Sequence, residues 1–336
     1  MSLRSISGVL MFALLVFGIS LKTQAQQNAY RISTPFTYKN LTVFLIHGKS
    51  EMNGKNILTL QEAMEQKILV VYETSDVNEL IVENKSSEFE VFIQSGDIVK
   101  GGKQDRVLAI DLILSVRSGR VSISAFCVES GRWKKRGGES SSEFSSSNER
   151  IVTKDLKLAA NKARSQGEVW KEVEKAQTKL SQNVGGSVNA ADSRTSLQLS
   201  LENGKVVATA EEYVKKMQGI INGKSDVIGY AFVINGELNS ADVYGSSELF
   251  KKLWLKLLRA TAIEAVAEFK ENAKFSEMKA DKIEAFLDDA EKGKSEEKAV
   301  TTRVTLVTKE DKDNILFESR DEKRKVVIHK SYVKQQ

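Results

Sequence analysis

From residue 40 the chain reads as short apolar runs separated by polar turns. "NLTVFLIH" (40–47) and "ILVVYE" (68–73) have the length and β-branched content of strands. Between them, "TLQEAMEQ" places Thr59 three residues before Glu62, a capping box that predicts a short helix. "NELIVENKSSEFEVFIQSGDIV" (78–99) predicts two strands around the turn Asn84–Ser87. "RVLAIDLILSVRSGRVSISAFCVE" predicts another pair, 106–116 and 120–129, turning at Ser118-Gly119. These turns are too short for crossovers, so the strands are expected to be antiparallel.

The second half changes period. A Ser/Gly-rich loop at Gly137–Arg150 leads into a helical stretch, Asn148 to Leu180, with Trp170 on its apolar side. "TAEEYVKKMQGIING" reads as a helix boxed by Thr209 and Glu212, and Asn235-Gly236 marks a tight hairpin. Ser247 is read as the cap of a long helix with apolar residues at helical spacing, and Lys279–Lys294 as a charged surface helix. Three short strands close the chain: "TTRVTLVT", "NILFESR" and "KVVIHKSYV". The fold class is α+β: a strand-rich antiparallel N-terminal half, with helices from the second half packed on it. Three segments follow: 1–25, a main domain at 34–295, and short strands with a charged tail at 296–336.

The first 25 residues change the setting. Arg4, an apolar stretch from Val9 to Leu21, and Thr23-Gln24-Ala25 have the form of a secretory leader cleaved near Ala25. That stretch is about 13 residues, short of the ~20 a membrane span needs. Export to a periplasmic or extracellular setting is expected, with no transmembrane segment in the mature chain. A net charge of +5 over 336 residues, with no basic stripe interleaved with aromatics, speaks against nucleic acid. The single cysteine, Cys127, lies on the apolar face of its strand and reads as buried and inert.

Three Gly-Lys pairs suggest phosphate loops, at Gly48, Gly102 and Gly223. The motif G-x-x-x-x-G-K-[ST] needs a glycine five residues earlier, where Val43, Asp97 and Gln218 stand. With only His47 and His329, neither a histidine-based triad nor a metal site is indicated, and no cofactor is expected. Paired carboxylates remain open among Asp105, Asp111, Glu129 and Asp242.

Two stretches stand out. In "KGGKQDRV", a Gly-Gly turn sets Lys103, Gln104, Asp105 and Arg106 at a strand entry. In "CVESGRWKKRGG", Glu129, Arg132 and Trp133 lie at the exit of another strand. A hairpin would put Arg106 opposite Glu129–Arg132, gathering amide, carboxylate, guanidinium and indole groups at one sheet end. That mixture suits a polar or anionic ligand. It also suits a structural pair, Arg106 with Glu129, covered by Trp133.

Taken in order, "NLTVF", "GGKQDRV", "VESGRW", "QGEVW" and "VINGELNSADVYGSSELF…LWLKLL" resemble the ARG and rhodanese-phosphatase-superfamily-associated domain, over about Thr34 to Glu268. That family is named for its association with ADP-ribosylglycohydrolases and with rhodanese- or phosphatase-type proteins. The resemblance implies an accessory or binding module near nucleotide or ADP-ribose chemistry. It singles out Lys103, Gln104, Arg106, Glu129, Arg132 and Trp133, then Gln166, Trp170, Asn235 and Asp242. Asp105 stands where the family's motif carries asparagine, which adds negative charge beside any anion.

The leading expectation is an exported, non-catalytic module binding a small polar or anionic ligand. One alternative is a hydrolase of phosphorylated or ADP-ribosylated compounds, with Glu129 or Asp105 as general base. The other is a structural envelope protein whose partner is another protein.

Overall fold

The computed structural model describes residues 30–335, so the leader expected at 1–25 lies outside the described residues. Three sheets carry the fold. The largest has nine strands, running from Arg31–Ile32 through Leu41–His47, Val227–Ile234, Glu237–Tyr244, Val326–Lys334, Asn314–Asp321 and Val304–Glu310 to Lys294–Ala299. Phe36–Tyr38 also pairs with Leu41–His47. The stretch after residue 295 thus continues the sheet that Leu41–His47 begins.

The apolar runs of this sheet are unbroken because both of its faces are covered. Val43, Leu45, Tyr230 and Phe232 join the main core, which contains the helix Ser247–Ala267. Phe44, Ile46, Ala231 and Val233 point the other way, onto Ile283, Phe286 and Leu287 of the helix Ala280–Glu291. The far edge, Lys294–Ala299, is exposed throughout and charged, which discourages further pairing.

A six-stranded sheet orders Phe144–Arg150, Asp97–Gly101, Arg106–Leu108, Gly119–Cys127, Glu79–Asn84 and Leu69–Glu73. Leu112–Leu114, Glu90–Ile93 and Ile57–Thr59 form the third sheet. Pairing is antiparallel except between Ile57–Thr59 and Glu90–Ile93, which are parallel. The α+β class holds, and among the described residues no helix is long and apolar enough to cross a membrane.

Several local expectations are met. Thr59 and Glu62 close their capping box, and Asn235-Gly236 turns the hairpin with both residues at positive φ. Cys127 is fully buried, and burial pushes its thiol up to about 11.

Others are corrected. The run 106–116 is two strands: Arg106–Leu108 pairs with Gly119–Cys127, while Leu112–Leu114 leaves for the third sheet. The serine-rich segment is the strand Phe144–Arg150, paired with Asp97–Gly101. Helix starts only at Lys154 and breaks at Arg164, whose φ of 49° is left-handed, before resuming at Gln166–Asn183. Trp170 on that helix is 37% exposed, not on an apolar face. Thr209 lies inside the helix Gly204–Met217, capped by Asn203, and the long helix is capped by Ser246.

Candidate functional site

Lys103, Gln104, Arg106, Glu129, Arg132 and Trp133 come together at one end of the six-stranded sheet. Gly101 and Gly102 make the corner, both at positive φ. A Cβ on Gly102 would lie 2.4 Å from the Phe144 ring, so the turn requires glycine there.

Behind the corner, Arg132 reaches both Glu129 oxygens at 2.7 Å through Nε and Nη2. The carboxylate also accepts the Asp105 N–H, and Gln104 donates to the Glu129 carbonyl. Asp105 takes a bidentate grip from Arg136, both contacts 3.0 Å, plus the Gly101 N–H and the Ser196 hydroxyl. Two planar guanidinium–carboxylate pairs are therefore interlocked and buried. With their oxygens so occupied, neither Glu129 nor Asp105 is placed to draw a proton from water.

Arg106 does not pair with Glu129. Its register partner is Cys127, and its guanidinium faces Glu73 at 3.6 Å. It is fully buried, yet its Nε and Nη2 make no hydrogen bond. Trp133, 46% exposed, lies 5.7 Å from it and 5.1 Å from Lys103 Nζ.

A second ionic cluster forms where all three sheets meet. Asp111 sits in the link between Arg106–Leu108 and Leu112–Leu114, which belong to different sheets. His329 comes from the nine-stranded sheet, opposite Tyr244, with Asp242 two residues before Tyr244. His329 Nδ1 donates to Asp111 at 2.8 Å and Nε2 to Asp242 at 3.2 Å, so two carboxylates hold it as an imidazolium. Burial opposes that charge, but Asp111 and then Asp242 raise the imidazole to about 9. Tyr244 stacks on it at 4.5 Å. Asp111 also accepts the Ser95 N–H and the Ser319 hydroxyl.

Arg150 ends the strand Phe144–Arg150, and Thr153 then caps the helix Lys154–Leu158, turning Lys157 toward the same place. Arg150 Nη2 donates to the Ser95 carbonyl, but its Nε has no partner. Lys157 makes no side-chain hydrogen bond among the described residues. Its closest carboxylate oxygen is Asp242 Oδ2 at 4.0 Å, which itself accepts no hydrogen bond. Burial and Arg150 lower the Lys157 pKa against the pull of Asp242. Burial would raise the Asp242 carboxyl, yet Lys157, His329 and Arg150 hold it far below the carboxylate range.

These groups line two small cavities. One, about 30 Å³, is walled by Asp111, Arg150, Lys157 and His329, with exposed Arg164 at its rim. The other, about 20 Å³, shares Arg150 and Lys157 and continues to Glu264, whose buried carboxyl is raised to about 7. Each has room for one or two waters or a small polar group.

A family model described as ARPP-1, the ARG and Rhodanese-Phosphatase-superfamily-associated Protein domain, matches residues 29–333. The chain belongs to this family. No curated protein and no solved structure matches it. The ARPP-1 match takes in both clusters and the C-terminal strand that carries His329.

Within this ARPP-1 domain the remaining sequence candidates scatter. Gln166 bonds the N–H and C=O of Cys127, each at 2.8 Å, extending the strand end as a neighbouring strand would. Asn235 bonds the Glu268 carbonyl and Asn40 at its hairpin. Trp170 is on the helix Gln166–Asn183, and Asp242 is in the second cluster. Sequence reasoning missed Arg136, Arg150, Lys157 and His329. The available signal was a histidine inside an apolar run: in "KVVIHKSYV" both phases of the strand are buried, Ile328 and Tyr332 on one and His329, Ser331 and Val333 on the other.

Proposed function

We propose that this ARPP-1 protein is an exported, non-catalytic binding module that holds a small anionic ligand beside Lys157 and Arg150. Export rests on the leader-like residues 1–25. The observation that carries the ligand reading is hydrogen-bonding capacity left unused beside a cavity. Lys157 lines both cavities and makes no side-chain hydrogen bond among the described residues, its nearest carboxylate oxygen being Asp242 Oδ2 at 4.0 Å. The buried Arg150 Nε has no acceptor, and Arg164 and the protonated His329 add positive charge. Buried donors without partners are costly, and an anion supplying acceptors would relieve that cost.

The test is a thermal-shift series with phosphate, sulfate and small carboxylates. A ligand at a hundred times its Kd stabilises by about 2.7 kcal/mol. Lys157→Met should still melt cooperatively, because Asp242 keeps His329 and Arg150, and it should lose the shift. A shift that survives in Lys157→Met, or no shift with any anion, sinks the reading.

One observation supports a second location for the ligand. Arg106 has two unpartnered guanidinium nitrogens beneath the exposed Trp133, so a flat anionic compound stacking on the indole would find donors there.

A further inference from the structure

We propose that Lys157 captures its ligand covalently, as an imine with a small carbonyl compound that also bears a carboxylate, a 2-oxo or aldehyde acid. This inference rests on the preceding reading of the cavity and narrows its ligand class. Three features of the site converge on it.

Lys157 lines both cavities, and its side chain is 12% exposed. No hydrogen bond ties its nitrogen down. By contrast, Lys256, similarly enclosed, is held 2.9 Å from Asp97. A second cation, Arg150, lines both cavities, and desolvation beside another cation is the environment that frees a lysine amine for attack on carbonyls. The direction of its pKa agrees.

The acid end of the ligand has its own receptor. Arg150 Nε is unpartnered, Arg164 lines the same cavity, and His329, with both nitrogens held by carboxylates, adds charge but no free donor. Asp242 Oδ2, at 4.0 Å, would face the cation that forms.

The chemistry balances without any redox partner. The ammonium gives a proton to water, and the nitrogen lone pair forms a C–N bond to the carbonyl carbon. The C=O π electrons move to oxygen, which takes one proton from the attacking nitrogen and a second from the hydronium formed in the first step. The C–O bond then breaks and water leaves. The net change is ammonium plus carbonyl to protonated imine plus water, and the positive charge stays beside Asp242.

The experiment treats the full chain with glyoxylate and sodium cyanoborohydride and maps the reduced adduct by peptide mass spectrometry. Because it reads the wild-type protein, no variant needs to fold. Lys157 should be modified roughly ten times faster than exposed lysines such as Lys135, to one adduct per chain. Phosphate should protect it. Modification confined to exposed lysines, with Lys157 unlabelled, overturns the inference. If phosphate still raises the melting temperature in that case, only the covalent step fails. If phosphate has no effect either, the anion site falls with it.

Discussion

Two clusters of buried charge lie in one fold and differ in what they leave undone. At the end of the six-stranded sheet, Arg132 and Arg136 grip Glu129 and Asp105 in planar pairs, and backbone N–H groups and Ser196 fill the remaining acceptor positions, with Arg106 Nε and Nη2 left without acceptors beneath Trp133. Where the three sheets meet, His329 is fully engaged, but Lys157 comes only to 4.0 Å from Asp242 Oδ2, Arg150 Nε and Asp242 Oδ2 make no hydrogen bond, and Lys157 and Arg150 line a void. Burial, charge and arginine content are similar in the two. What distinguishes a binding site from a structural rivet is unused hydrogen-bonding capacity beside open volume.

The largest effect that would separate them is in the closed cluster. Arg132→Ala leaves the fully buried Glu129 carboxylate with only the Asp105 N–H and the more distant Arg136, 3.6 Å away, and breaking such a pair costs about 3–5 kcal/mol. Urea denaturation should show that loss, while the folded protein keeps its thermal response to phosphate. Nearly unchanged stability with the phosphate response abolished would reverse the assignment and make the sheet end the binding site.

Next in size is the pH dependence of the open cluster. His329 is raised from 6.5 to about 9 in the folded chain. A base with a raised folded pKa contributes stability fully below its unfolded value and loses it as pH rises through the folded one. The loss should therefore run from pH 6.5 to about 9 and be on the order of 3 kcal/mol. Glu264 and Glu149, both raised to about 7, lose their share lower, between 4.5 and that value. The His329 share is therefore the difference between wild-type and His329→Gln melting curves above pH 7. Parallel curves there would mean that the imidazole is not held charged between Asp111 and Asp242.

The closed cluster was the more legible of the two in the sequence because its members are near neighbours. Glu129 and Arg132 are three apart, and the strand pairing brings Gly101–Arg106 beside them. The Thr59 box and the Asn235-Gly236 turn were legible for the same reason, being decided by bonds within a few residues. The open cluster was not. His329 meets Asp111 across 218 residues and Asp242 across 87, and no local pattern encodes that meeting. The serine-rich strand was hidden because its pairing to Asp97–Gly101 overrides the turn-forming tendency of serine. The helical stretch that follows was misread because a single left-handed residue, Arg164, interrupts an otherwise continuous pattern.

The smallest effect concerns Trp133, and it is the sharpest test of whether the sheet end retains any binding role. The indole is 46% exposed and lies against two cations, Lys103 Nζ at 5.1 Å and the Arg106 guanidinium at 5.7 Å. If it is a cover, Trp133→Ala removes cation–π contacts at the surface and costs about 0.5–1 kcal/mol. The buried Arg106 would then gain water for the two nitrogens that lack partners, which offsets part of that loss. Urea denaturation should show this small change, with phosphate stabilisation as in the wild type. If the indole is a ligand platform, stability moves just as little, but binding of a flat anion such as a nucleotide is lost in Trp133→Ala and retained in Lys157→Met. The two variants thus cross over: each abolishes one ligand response and spares the other, and which one is lost assigns the binding role to the sheet end or to the cavity.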